Sequence, residues 1–419
     1  MTTAISEMPE DELASAAGLA LLEVLRRTHL SAAHDLSTVV AEEARTIGIA
    51  GLVMYLVNLE QTELIPVPGP DTGEREPLSL GGTVGGRSYT GGTILDTVTN
   101  SGRRVWLPLL DGTERLGVVE LLIDDPDELP EHVVAILERY AHFVAGLIVT
   151  KDPYSDVFEL LRRSQRMTTA TELMRDMVPP TTIATDDFVL GTMLEPAYDV
   201  GGDAYDYALN HEILHLGIFD GVGHGLAAAG VSTFALSAYR HARRTAQDLP
   251  ATYAAIDAEV AEQYPTSRYV TACLAQLDVT TGHLRWISAG HPAPLLLRRG
   301  RFVKELGVHP SPPMGLLFAN RPPVIGQEAL EPGDMVLFYT DGLTESRRPD
   351  GRLFTTERLA EFIERQAGSG EAAPETLRRL REAIIERGEG TLRDDATAML
   401  LEWRRGAQER VLPETVLAD

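Results

Sequence analysis

The sequence predicts an α+β fold: two antiparallel-sheet domains, each with its own helices, joined by a helical segment. Three observations predict it. Apolar runs of strand length follow one another across turn residues, as in VWLPLL and LGVVELLI around Asp111-Gly112; this favours antiparallel pairing over strict strand-helix alternation. Helical periodicity is confined to separate segments between such groups. The chain has 419 residues with 44 % hydrophobic and 24 % charged side chains, enough for two or three domains with proper cores.

Residues 1–14, MTTAISEMPEDELA, read as a disordered N-terminus and lack the basic and apolar regions of a signal peptide. Residues 15–150 read as one domain. Two helical patterns open it, LASAAGLALLEVLRR and LSTVVAEEARTIG, and strand-like GLVMYLVNL and ELIPVP follow. Next come a Gly-rich stretch, LGGTVGGRSYTGGT, the hairpin at Asp111, and a last helix over EHVVAILERYAHFVAGLIV. No GK[ST] follows the glycines, so they are not a P-loop.

Residues 151–180 read as a helical linker. Val157, Leu160, Ser164, Met167, Thr171, Met174 and Val178 alternate spacings of three and four, the seam of a heptad helix. Such a seam fits either a homodimeric coiled coil or packing on its own domain. Pro179-Pro180 ends it. Residues 181–403 read as the larger domain, with strands at DFVLGTMLEP, EILHLGIFD, YVTACLAQLDV, LRWISAG, PLLLRR, DMVLFYT and ATAMLLEW. Its helices fall after Gly225, at ATYAAIDAEVAEQ, TTERLAEFIERQA and PETLRRLREAIIER. Residues 404–419 read as a disordered tail.

The net charge of −25 argues against nucleic acid or anionic membrane as partner. It also repels any phosphate-bearing substrate unless bound cations offset it locally. The single cysteine, Cys273, rules out a disulfide framework and fits a cytoplasmic location. The uncharged stretch Gly221 to Tyr239 has spanning length, but its glycines, serines and His224 make it a buried Ala-rich helix instead.

Asp-Gly occurs four times. At Asp111 and Asp350 it reads as a plain turn. At Asp220 (IFDGVGHG) and Asp341 (FYTDGLTES) the acid instead closes a buried-looking strand with no second strand following. A carboxylate there is costly to desolvate unless something pairs with it. Asp203 (DVGGDAYDY) and Asp394-Asp395 (LRDDATAMLL) also sit where strand meets turn. Gathered at one end of the sheets, these acids would repel one another and raise each other's pKa. Oxygen-only donors without a His/Cys cluster select a hard cation, Mg²⁺ or Mn²⁺.

The ordered set GGDAYDY, FDGVGHG, SAGHPAPLLL, YTDGLTES and RDDATAMLL resembles the motifs of metal-dependent (PPM) serine/threonine protein phosphatases of the SpoIIE/RsbU type. The resemblance covers about residues 181–403, and ATELMRDMVPP looks like the segment leading into that branch. It implies a β-sandwich flanked by helices (αββα) binding two ions. Asp203 and Asp220 would bridge them with the Gly221 carbonyl, and Asp341 and Asp394 would complete one shell; Asp395 is open as an alternative to Asp394. Two such ions would activate a water to attack phosphorus directly. Residues 15–150 resemble a GAF sensory domain, whose ligand is unnamed.

The implied function is dephosphorylation of a phosphorylated anti-anti-sigma (STAS) protein under control of the sensory domain. Two alternatives stand beside it: a catalytically silent phosphoprotein-binding scaffold, and a two-metal phosphoesterase for small esters. His224 reads first as a turn-shaping or capping residue and second as a proton donor. His291 reads as a structural loop residue, Asp206 as support for the site, and Glu345 as a helix-start acid. Arg240, Arg243 and Arg244 read as a solvated helix end, so no arginine in the motifs offers a phosphate clamp.

Overall fold

Two compact units divide the chain, residues 1–164 with 411–419 and residues 165–410. In the computed structural model the described residues are 5–99, 102–124, 127–195, 198–199, 201–264, 268–317, 322–345, 355–387, 394–405 and 411. The Asp350-Gly351 turn and nearly all of the tail lie outside them.

The first unit contains α1 (Glu10–Thr28), α2 (Leu36–Ala44), β1 (Gly51–Val57), β2 (Glu63–Pro66), β3 (Leu78–Ser79), α3 (Val84–Gly91), β4 (Leu95–Thr99), β5 (Gly102–Asp111), β6 (Glu114–Ile123), α4 (Glu131–Lys151) and α5 (Val157–Arg162). Its antiparallel sheet has the order β3-β2-β1-β6-β5-β4. The Asp111-Gly112 turn joins β5 to β6, with Gly112 at φ +57°. Residues of α1, α2 and α4 bury one face in a common core with Leu52, Leu107 and Leu121, and Tyr55, Tyr89 and Trp106 fill the other.

Part of the segment expected to be disordered is helical. Leu13, Ala17, Ala20 and Val24 recur at helical spacing and are buried, so the amphipathic stripe starts earlier than residue 15 and carries the helix back to Glu10. The Gly-rich stretch holds α3, whose N-cap Thr83 accepts a bond from Gly86 N at 3.0 Å. Glu131–Tyr154 is the one stretch among the described residues long and apolar enough to cross a membrane, and more than half of it is buried.

The heptad seam does not form one helix. α5 ends at Arg162, Arg163 is extended (φ −86°, ψ 131°), and α6 (Thr169–Met177) starts afresh. Local competition explains the break. Arg162 Nε donates to the Val57 carbonyl at 2.9 Å, holding α5 to β1 in the first unit. Thr168 caps α6, accepting from Thr171 N at 3.2 Å, and Ala170 and Met174 enter the core of the second unit. Capping and tertiary burial together outweigh continued periodicity.

The second unit continues with β7 (Thr182–Ala184), β8 (Phe188–Glu195), β9 (Asp203–Asn210), β10 (Ile213–Gly221), α7 (Leu226–Arg244), α8 (Leu249–Gln263), β11 (Val270–Asp278), β12 (His283–Ala289), β13 (Leu295–Arg298), β14 (Arg301–Glu305), β15 (Gly326–Ala329), β16 (Asp334–Tyr339), α9 (Asp341–Glu345), α10 (Thr356–Gly368), α11 (Ala373–Arg387) and β17 (Ala396–Trp403). Its two antiparallel sheets have the orders β15-β12-β11-β10-β9 and β14-β13-β16-β17-β8-β7. Their inner faces share one core: Tyr205, Leu216, Ile218 and Cys273 meet Leu190, Val336, Phe338 and Met399. Outside the first sheet, α6, α7 and α8 bury Phe219, Ala272 and Ile287. The result is a sandwich flanked by helices, the αββα arrangement.

Candidate functional site

Strand parity decides which acids can meet. Side chains alternate between the faces of a strand. On β9, Tyr205 and Tyr207 face the sandwich interior, so Asp203 does too. On β10, Ile218 faces inward and Phe219 outward toward the helices, so Asp220 faces inward. Val336 and Phe338 on β16, and Met399 and Leu401 on β17, carry the same alternation to Thr340, Thr397 and Asp395.

Hydrogen bonds bring these residues to one end of the sandwich. Asp203 stands directly opposite Asp220 in the β9–β10 ladder. Asp203 is 2 % exposed, and its Oδ2 accepts from the Thr340 hydroxyl at 2.7 Å. Thr340 in turn accepts from Thr397 N at 3.0 Å, tying β16 to β17 at the same point. Asp341 follows Thr340 at once and opens α9. Asp394 is exposed just ahead of β17.

The two adjacent acids differ. Asp395 is buried, and its carboxylate accepts backbone N–H groups of Gly201 (2.6 Å), Gly202 (2.5 Å) and Asp203 (3.1 Å). These bonds hold the turn that presents Asp203. The Asp394 carboxylate accepts the adjacent Asp395 N–H, at 3.0 Å. Close packing needs glycine here: a Cβ on Gly342 would lie 1.8 Å from the Asp395 carbonyl oxygen.

The electrostatics match a gathering of like charges. Burial, then Asp220 and Asp395, hold the Asp203 carboxyl well above the usual range, against the bonds from Thr340 and Thr397. Burial, then Asp341, Asp394 and Asp395, push Asp220 up to about 7. Burial, Glu345 and Asp394 raise Asp341. Burial raises Asp395 despite its three backbone bonds. None of the five acids forms an ion pair among the described residues, in a unit where most buried acids do. Nor do any three His, Cys, Asp or Glu side chains there close into one ligand cluster. The acids are a dispersed patch of uncompensated negative charge made only of oxygen donors, which fits a hard divalent cation.

Behind Asp220 lies a neutral support. Thr271 faces Asp220 across the β10–β11 ladder, and its hydroxyl is 3.1 Å from His291 Nδ1. Burial pushes His291 down to about 3, so it adds no charge. Sequence reasoning placed His291 near the site but missed Thr340, Thr397 and Ser232, which donates to the Gly202 carbonyl. The threonine before Asp341 in YTDG was the available signal.

Several expectations need correction. Asp206 is on the opposite face of β9 from Asp203 and accepts from Arg240 Nη2 and Arg243 Nη1, both at 2.8 Å. Arg240 and Arg243 are therefore half-buried partners of an acid, while Arg244 is exposed as a solvated helix end would be. Arg240 also bonds the Met177 carbonyl, so the cluster ties α6, α7 and β9 together. His224 is exposed in the loop before α7; the N-cap is Gly225, and no side chain caps the helix. Glu345 lies in α9, which begins at Asp341.

Residues 210–404 match the family described as Stage II sporulation protein E (SpoIIE). The chain is 23 % identical to Protein IcfG of Synechocystis sp. over 261 residues, 56 % of this chain and 40 % of that one. It is 23 % identical to Phosphoserine phosphatase RsbU of Bacillus subtilis over 220 residues, 51 % of this chain and 62 % of that one. Less than two thirds of each relative's length is thus spanned. The crystal structure of the RsbU and RsbW domains of a Mycobacterium tuberculosis protein matches with 28 % identity and a TM-score of 0.44, over 54 % of this chain and 63 % of that one. The SiaA-PP2C domain of Pseudomonas aeruginosa matches with 22 % identity and a TM-score of 0.48, over 56 % of this chain and 94 % of that one.

Proposed function

We propose that this chain, whose residues 210–404 match the SpoIIE family, is a divalent-metal-dependent phosphoserine/phosphothreonine protein phosphatase of the PPM type. One observation carries the reading: Asp203, Asp220, Asp341 and Asp394 come from four separate chain segments to one end of the sandwich, and their charges are unpaired among the described residues. Asp203, Asp220 and the Gly221 carbonyl would hold two ions, Mn²⁺ or Mg²⁺, between them, with Asp341 and Asp394 completing one shell. Asp394 is the better ligand of the adjacent pair, because the Asp395 oxygens are taken by three backbone N–H groups.

When bound, such ions lower the pKa of water and clamp phosphate oxygens. The chain's own residues supply position. Thr340 fixes the rotation of the Asp203 carboxylate, Asp395 fixes the backbone that carries it, and Thr271 with neutral His291 backs Asp220. No side-chain nucleophile is required: the lone cysteine, Cys273, is buried and its thiol is pushed up to about 12.

The name of the Bacillus subtilis relative supports a phosphoserine protein as substrate, and the expected class is a phosphorylated STAS-domain protein in the cytoplasm. The first unit is the proposed sensor, for a ligand its residues do not identify. The decisive measurement is Mn²⁺-dependent phosphate release from a phosphorylated STAS protein, with chelator and Asp220→Asn as controls. Turnover that survives both controls would overturn the reading. Turnover of small phosphoesters or nucleotides but of no phosphoprotein would favour the small-ester alternative. Deleting residues 1–150 without change in activity would remove the sensory assignment.

A further inference from the structure

We propose that Arg268 binds the substrate phosphate at the mouth of this site, a role that rests on the phosphatase reading above. The placement comes from the β10–β11 ladder. Asp220 pairs with Thr271 and Gly221 with Val270. One step further, Val222 N donates to the Tyr269 carbonyl at 3.1 Å. The next step sets Arg268 beside Gly223, in the loop that links Asp220 to α7. The side chain follows the backbone: Arg268 Nη1 lies 3.9 Å from where a Cβ on Gly223 would sit. Gly223 has φ +101° and is exposed, so the guanidinium lies against a solvent-facing loop.

Charge makes the placement informative. In this unit Arg240 and Arg243 are committed to Asp206, Arg298 to Asp334 and Arg381 to Glu195. Arg268 is half-buried and has no ion pair or side-chain hydrogen bond among the described residues. An uncommitted guanidinium beside the loop that leads from Asp220 to α7, in a chain of net charge −25, is a positive group free to meet an anion. A guanidinium presents a planar fork of N–H donors that matches two oxygens of a phosphate. The acids, with the ions they would hold, would face the reacting side of a phosphate, and Arg268 would offer donors to its remaining oxygens. Sequence motifs could not reveal it. Arg268 lies 48 residues after Asp220 by number, outside every acid motif, and only strand pairing brings the two together.

The test uses the full-length protein, a small aryl phosphate and Mn²⁺, with inorganic phosphate as competing probe. Arg268→Ala is expected to raise both KM and the phosphate inhibition constant by about tenfold to a hundredfold, the usual worth of hydrogen bonds to a charged group. The Mn²⁺ concentration for half-activation and the melting temperature are expected to stay at wild-type values. Arg268→Lys is expected to fall between, since it keeps the charge and loses the fork. Wild-type KM and phosphate inhibition in Arg268→Ala would overturn the proposal, as would a defect confined to Mn²⁺ activation or melting in both variants. A wild-type protein with no Mn²⁺-dependent hydrolysis would instead overturn the phosphatase reading, and this inference with it.

Discussion

Replacing Asp220 by asparagine should stabilise the metal-free protein while abolishing its activity. The Asp220 carboxyl climbs from an ordinary 3.8 to about 7 through burial and then through Asp341, Asp394 and Asp395. A pKa raised on folding means that the folded state binds the proton more tightly than the unfolded one. Stability therefore falls as pH rises from about 4 to about 7, and the full cost is present above that window. At about 1.4 kcal/mol per tenfold in proton affinity, the charged form costs about 4 kcal/mol at pH 8. Relaxation and water entry bring that nearer about 2 kcal/mol. Asparagine keeps the shape and an acceptor for Thr271 without the charge. In chelator at pH 8, the melting transition of the C-terminal unit should rise by about 4–8 °C in Asp220→Asn. At pH 5 the gain should shrink to less than half. Excess Mn²⁺ should reverse the order by stabilising wild type alone. Differential scanning fluorimetry across pH, with and without Mn²⁺, reads all three. A variant that melts at or below wild type in chelator at pH 8 would refute the claim that these acids repel one another.

The adjacent acids should separate by phenotype. Asp394→Ala should lose turnover with melting at or slightly above wild type, since its side chain is exposed and its charge adds only repulsion on Asp220 and Asp341. Asp395→Ala should also lose about 2–3 kcal/mol of stability and melt lower, because three backbone N–H groups lose their acceptor; equal melting of the two variants would refute the split. Asp206→Ala should cost about 2–4 kcal/mol, with or without Mn²⁺, because it leaves half-buried Arg240 and Arg243 without their partner; urea unfolding measures it. Gly342→Ala should lose turnover and stability together, since its Cβ would overlap the Asp395 carbonyl at 1.8 Å; activity at wild-type level would show that the turn can move freely.

Much of this protein was legible in order along the chain. The strand runs and the Asp111 hairpin follow from local apolar patterning and turn chemistry. The acid set Asp203, Asp220, Asp341 and Asp394–Asp395 can be named from its positions where strand meets turn and from the motif resemblance. The misreadings share a cause. Asp206 is only three residues from Asp203, yet it turns to the other face, and its arginine partners come from α7. The heptad seam from Val157 to Val178 is continuous in sequence, yet each half finds a stronger local arrangement and the helix breaks at Arg163.

What the sequence determined alone is everything set by near neighbours: element type, face, turn, and the supply of oxygen donors. Only the tertiary structure decided which strand ends meet, that Asp395 holds backbone while Asp394 is left open, and that Arg268 stands beside the Asp220 loop. Those outcomes depend on pairings between segments tens to hundreds of residues apart. Periodicity within a strand says which way a side chain faces, but carries no information about what it will face.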